Sequence, residues 1–114
     1  INGANNAGIA NGTLVSDWKD LSGNGNNGTQ TNSSANPSVQ SNGLNGKSVV
    51  TFDGSNDVLN LPDGTIPYGN SNYTIIGIVK SNINHQGGIL GSGNYDETNR
   101  VNAFRFYGER LQNY

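Results

Sequence analysis

Residues 101–107 read VNAFRFY, and this stretch decides the class of the fold. Its apolar and polar side chains alternate, so Phe104 and Phe106 fall on one face of an extended chain, and Arg105 and Tyr107 fall on the other. A period of two is typical of a β-strand that packs on one side and meets solvent on the other.

This strand is followed by the start of a second one. Gly108 and Glu109 turn the chain, and residues 111–114 form the beginning of a partner strand, which predicts an antiparallel hairpin. The hairpin reaches Tyr114 without a closing turn, and its edge would be left unpaired. We therefore expect the fold to be completed by further chain or by a neighbouring subunit.

Other short β-rich stretches lie between clusters of Gly, Asn and Pro. Residues 73–80 give the strongest of these signals, and their apolar side chains fall on both faces, as in a central strand covered on both sides. Weaker strands are predicted at 14–18, 47–52, 57–61 and 88–91. Seven apolar side chains are predicted to lie between two sheets: Phe52, Ile75, Ile76, Ile78, Val79, Phe104 and Phe106.

The remaining segments are predicted to be loops. Residues 1–13 are interpreted as a linker or a weakly ordered start, and residues 29–46 as a long loop with one edge strand at most. The Asn24-Gly25 and Asn27-Gly28 dipeptides predict tight turns with positive φ.

Composition supports the same class. The 114 residues suffice for one domain, with 21 Asn and 17 Gly but only five Ala and two Glu, which excludes an all-α fold. Six Lys and Arg against eight Asp and Glu give no basic stripe for phosphates, so nucleic acid is excluded as a partner. No apolar run is long enough for membrane insertion. We predict an all-β, antiparallel, jelly-roll-like β-sandwich, incomplete at its C-terminus.

Three motifs, in order, resemble a known family. Residues 18–29, WKDLSGNGNNGT, are similar to the opening of laminin G-like, concanavalin A-like jelly-roll domains. Residues 50–59, VTFDGSNDVL, resemble that family's next strand pair, although Val58 stands where an aromatic residue is common. The Tyr-Thr-Ile stretch at 73–75 falls where the family has another strand.

The resemblance implies that residues 14–114 are the N-terminal part of such a sandwich domain. It further implies a non-catalytic, lectin-like or adhesion module of a larger cell-surface, secreted or virion-surface protein. A structural spacer, or a capsid or fibre decoration domain without a free ligand, is the alternative. An accessory domain of a glycosidase is a third possibility. The fold alone does not choose among these functions.

Candidate ligand-binding residues follow from the chemistry of sugars, which stack on aromatic rings and accept or donate hydrogen bonds through hydroxyl groups. Asn94, Tyr95 and Asp96 form a polar aromatic loop between predicted strands. Arg105 and Tyr107 share the outward face of the 101–107 strand. A glycan or a surface protein is therefore the expected partner.

The sequence gives little indication of catalytic or metal-binding residues. The two glutamates, Glu97 and Glu109, do not form the closely spaced pair of a retaining glycosidase, so we predict no enzyme activity. Asp53 and Asp57 are four residues apart, which leaves a calcium ion open as a cofactor. The favoured interpretation is that their carboxylates fix a turn through bonds to the backbone, and the same holds for Asp17 and Asp20.

Overall fold

The computed structural model describes residues 8–67, 71–81, 87–93, 101–107 and 110–113. In these ranges the protein is all-β, as predicted: seven antiparallel strands form three small sheets, and there is no α-helix. None of the described segments is a helix that could cross a membrane. The strands are β1 (Asp17–Trp18), β2 (Gly28–Thr29), β3 (Ser38–Leu44), β4 (Lys47–Thr51), β5 (Gly87–Gly93), β6 (Val101–Tyr107) and β7 (Arg110–Asn113).

The chain forms two compact units, Ile1–Thr65 and Ile66–Tyr114. The first contains two two-stranded sheets, β1–β2 and β3–β4, and a short 3-10 helix at Ser33–Ala35. The second contains the three-stranded sheet β5–β6–β7.

The β3–β4 hairpin has a two-residue tip. Asn45 and Gly46 have φ of 48° and 73°, which are the values of a type I′ turn, and Leu44 pairs with Lys47 across it. β3 is the one edge strand that the prediction for 29–46 allowed, since it pairs only with β4. The Asn-Gly tip joins this polar stretch to the strand predicted at 47–52, which the structure ends at Thr51. Pro37 lies just before β3, where its missing N–H costs no ladder bond.

A small core lies beneath this hairpin. Val15 and Val39 are each 1% exposed and Ala35 is 8% exposed. The backbone of Val39 donates to the Thr13 carbonyl (2.9 Å) and accepts from the Gly12 N–H (2.7 Å), so the chain before β1 is bonded to β3.

The predicted core was mostly wrong. Ile76 and Ile78 are 91% and 86% exposed, and Phe52 and Val79 are exposed as well. Ile75, Phe104 and Phe106 are only half-buried. The physical reason is that residues 71–81 belong to none of the described sheets, and an apolar stretch is buried only where a neighbouring layer covers it.

The turn prediction for residues 22–28 was half right. Gly25 has a φ of 77°, as expected for Asn24-Gly25. Gly28 instead lies buried in β2 opposite Trp18. A Cβ at Gly28 would lie 3.4 Å from Leu59 Cβ and 3.7 Å from Trp18 Cβ, so this glycine provides close packing and not a reversal.

The second unit matches the predicted strands at 88–91 and 101–107 and the predicted hairpin. In β5, Gly88 pairs with Arg105 and Leu90 with Phe104, with an irregularity between them. In β7, Gln112 pairs with Arg105 and Leu111 with Phe106. Phe104 and Phe106 thus share one face of the sheet with these two leucines.

Candidate functional site

The best candidate site is the sheet face opposite the two phenylalanines, which we call the Arg105–Tyr107 face. It comprises Arg105, Tyr107, Arg110 and Gln112. Antiparallel register creates it, because Arg105 lies opposite Gln112 and Tyr107 lies opposite Arg110. Side chains directly opposite one another in a ladder project from the same face.

Contacts between these side chains fix the arrangement. The Nε of Arg105 donates to Oε1 of Gln112 at 3.3 Å, in a half-buried position. The Cζ of Arg105 lies 5.3 Å from the centroid of the Tyr107 ring, which is within the range of a cation–π interaction. Tyr107 itself is 45% exposed. The guanidinium is therefore held on two sides while much of the aromatic ring still meets solvent.

This face carries two guanidinium groups, one amide and one phenol. Guanidinium N–H groups donate to hydroxyl or carboxylate oxygens, and an exposed aromatic ring offers an apolar surface to a sugar ring. The arrangement can therefore bind a polar ligand with an apolar face.

The predicted site residues have different outcomes. Arg105 and Tyr107 lie together, on the same face of β6, as their spacing predicted. Asn94, Tyr95 and Asp96 lie outside the described residues. Arg110 and Gln112 were not among the predicted residues. The turn predicted at Gly108 and Glu109 was the available signal, since a two-residue turn there would pair position 107 with 110 and position 105 with 112.

The aspartates considered for calcium are turn-forming groups. Oδ1 of Asp53 accepts from the N–H groups of Ser55 (2.8 Å), Asn56 (3.2 Å) and Asp57 (3.4 Å). Oδ2 of Asp57 accepts from the N–H of Asp53 at 2.9 Å. The Asn56 side chain also donates to the Ser34 carbonyl (2.9 Å), which ties this loop to the 3-10 helix.

Asp20 closes the other Gly-rich loop in the same way. Its carboxylate accepts from the N–H and the hydroxyl of Ser22, both at 2.8 Å, and from the N–H of Asn26 at 2.9 Å. Its own N–H donates to Oδ1 of Asn27 at 2.8 Å. Asp17 differs, because its carboxylate forms an ion pair with the exposed Lys19.

These bonds lower the pKa of both turn-forming carboxyl groups. The N–H and then the hydroxyl of Ser22, followed by the N–H of Asn26, lower the pKa of Asp20 below the ordinary aspartate value. The N–H of Ser55, with smaller contributions from Asn56 and Asp57, does the same for the pKa of Asp53. Within the described residues, no three His, Asp or Glu side chains gather as a metal site would require.

Comparison of the chain with protein-family models, with curated proteins and with solved structures finds no match.

Proposed function

We propose that this chain is a non-catalytic, lectin-like carbohydrate-binding or adhesion module, and that the Arg105–Tyr107 face is its ligand surface. The observation that carries the proposal is the fixed Arg105 guanidinium beside the half-exposed Tyr107 ring, with Gln112 bonded to the same guanidinium. A ring for stacking and adjacent hydrogen-bonding groups are what a sugar site requires.

The proposal includes the wider setting that the sequence motifs imply. The described strands would belong to a laminin G-like jelly-roll sandwich in a larger extracellular, cell-surface or virion-surface protein. The all-β antiparallel architecture supports the sandwich part of this proposal. Asn94, Tyr95 and Asp96 would form a second part of the ligand surface, and calcium would be an optional ligand of the loops.

The direct test is glycan binding by the chain on an array of neutral and carboxylate-bearing sugars, with and without calcium. We expect Tyr107→Ala and Arg105→Ala each to weaken binding roughly tenfold, which corresponds to the loss of one stacking or charge-assisted contact. Tyr95→Ala tests the loop in the same assay.

Two matched controls separate this site from general effects. Lys47→Ala removes an exposed positive charge at the start of β4. Leu111→Ala removes an exposed side chain from the opposite face of the β5–β6–β7 sheet. Both should leave binding unchanged. Equal losses in the controls and the site variants would overturn the assignment of this face.

A structural role is the second candidate, and a different observation favours it. The side chains of Ile76 and Ile78 are 91% and 86% exposed, and they lie two residues apart in a segment outside the described strands. Adjacent exposed apolar side chains are typical of surfaces that pack against another chain. In this case the segment would be covered by further chain or by a neighbouring subunit, and the module would act as a spacer or decoration domain.

Two measurements distinguish these functions. Absence of binding to every glycan favours the spacer. Concentration-dependent association in size-exclusion chromatography, abolished by the double change Ile76→Ser and Ile78→Ser, supports it. A monomer at all concentrations that binds a glycan would favour the lectin-like module.

A further inference from the structure

The chain contains six Asn-Gly dipeptides, and the structure describes five of them, at Asn11, Asn24, Asn27, Asn42 and Asn45. This dipeptide is chemically reactive. The glycine nitrogen, once it has lost its proton, attacks Cγ of the asparagine side chain. A bond forms between that nitrogen and Cγ, the bond from Cγ to Nδ2 breaks, and the amide nitrogen leaves as ammonia. Water then opens the succinimide to aspartate or isoaspartate, and glycine is the least hindered partner because it lacks a Cβ.

Two of the sites are held against this attack. At Asn11, Oδ1 accepts from the N–H of Ser41 (2.9 Å), and the N–H of Gly12 donates to the Val39 carbonyl (2.7 Å). Both reacting groups are therefore engaged in bonds to β3. At Asn27, Oδ1 accepts from the N–H of Asp20 (2.8 Å), and Gly28 is buried in β2.

Asn45 is the site at which the fold does not hold the reacting groups. Asn45 and Gly46 form the exposed tip of the β3–β4 hairpin. Within the described chain, neither the Asn45 side chain nor the Gly46 N–H has a hydrogen-bond partner. A Cβ built at Gly46 would meet no atom within 4 Å, so space around the attacking nitrogen is unrestricted. The reaction here needs no bond of the fold to break first.

Two sites are intermediate. Asn24 is exposed, but the N–H of Gly25 lies towards the Asp20 carboxylate, whose negative charge opposes loss of the amide proton. Asn42 is exposed, but Gly43 is half-buried against Val49.

We propose that Asn45 is a self-modification site, at which the folded protein deamidates while Asn11 and Asn27 are protected. The product adds a carboxylate two residues before Lys47. The isoaspartate form also adds one backbone carbon to a two-residue turn, which is incompatible with type I′ geometry and so loosens the pairing of Leu44 with Lys47.

The experiment is peptide mapping by mass spectrometry after incubation of the full chain in mildly alkaline buffer. The same chain in denaturant provides each site's intrinsic rate, so the ratio of folded to unfolded rate isolates the effect of structure. Because two hydrogen bonds must open at Asn11, we expect this ratio to be roughly tenfold to a hundredfold larger at Asn45 than at Asn11. Asn27 should be slowed at least as strongly.

Two further readouts test the mechanism. Asp20→Asn removes the charge beside Gly25, so it should accelerate Asn24 and leave Asn45 unchanged. Asn45→Gln should remove the earliest mass change among the five described Asn-Gly sites. Equal ratios at Asn45, Asn11 and Asn27, or protection of Asn45, would overturn the proposal.

Discussion

The two units of the chain differ in how strand pairing relates to burial. In Ile1–Thr65 the strands are short or irregular, yet Val15 and Val39 are almost completely buried. In Ile66–Tyr114 a three-stranded ladder forms, yet none of the described side chains is fully buried. Backbone pairing and core formation therefore contribute separately to the stability of each unit. A ladder satisfies the backbone, whereas a core needs a second layer above the strands.

The first unit supplies that second layer with loops. The Asp20 and Asp53 carboxylates each bind several backbone N–H groups, and Asn56 reaches the Ser34 carbonyl. Polar side chains thereby fix irregular backbone, and Asn56 ties the Asp53 loop to the 3-10 helix that carries the buried Ala35. In a chain with so few large apolar residues, such bonds take over part of the ordering that a larger core would provide.

The largest expected effect is at the centre of this core. Val39→Ala should lower the free energy of unfolding of the first unit by about 2–3 kcal/mol, since two buried methyl groups are lost and a cavity remains. Ile78→Ala, at an 86% exposed side chain, should change it by less than about 0.5 kcal/mol. Denaturant unfolding, monitored by amide hydrogen exchange, measures the change in the free energy of unfolding for both variants. A larger cost at Ile78 than at Val39 would reverse the comparison between the units.

The next largest loss of stability is expected from a substitution at Gly43. A Cβ at Gly43 would lie only 2.4 Å from Cγ2 of Val49, so Gly43→Ala should destabilise the hairpin by about 1–3 kcal/mol. Gly77→Ala is the matched control, because nothing lies within 4 Å of its position and its φ is not positive.

Thermal melting of a double-mutant cycle sharpens this test. Val49→Ala removes the clashing methyl group, so it should recover part of the stability lost in Gly43→Ala. Additive losses in the double variant would show that the overlap is not the cause.

The smallest expected effect is a dependence of the protein's stability on acidic pH. The folded pKa values of Asp20 and Asp53 are lowered, so their contribution to stability is present above the pH at which an unfolded aspartate titrates, about 3.9. It is lost as the pH falls through the lower folded values. Asp53→Asn keeps an acceptor oxygen but cannot titrate, so its melting temperature should depend less on pH in this range.

Melting curves recorded across acidic pH test whether the Asp53 carboxylate contributes to stability in this way. Asp63→Asn is a control, because the Asp63 carboxylate accepts no hydrogen bond within the described residues. Parallel pH dependence for the native chain and Asp53→Asn would contradict the role assigned to this carboxylate.

Part of the candidate site could be predicted. The alternation of residues 101–107 places Arg105 and Tyr107 on one face, and β6 has the predicted bounds. Arg110 and Gln112 join them only through the register of β7, which depends on the length of the turn. The side-chain bond between Arg105 and Gln112 follows from that pairing and not from any local pattern.

Local sequence patterns are enough to predict the all-β class, the 101–107 strand with its hairpin, and the turn-forming role of Asp20 and Asp53. These features depend on residues close together in the chain: a period of two, a Gly-containing turn, or a carboxylate two to six positions from the N–H it binds. Tertiary structure alone decided that Val15 and Val39 are buried while Ile76 and Ile78 are not. A hydrophobic side chain is more stable when buried, but burial requires a neighbouring layer. Whether such a layer is present depends on contacts between distant parts of the chain.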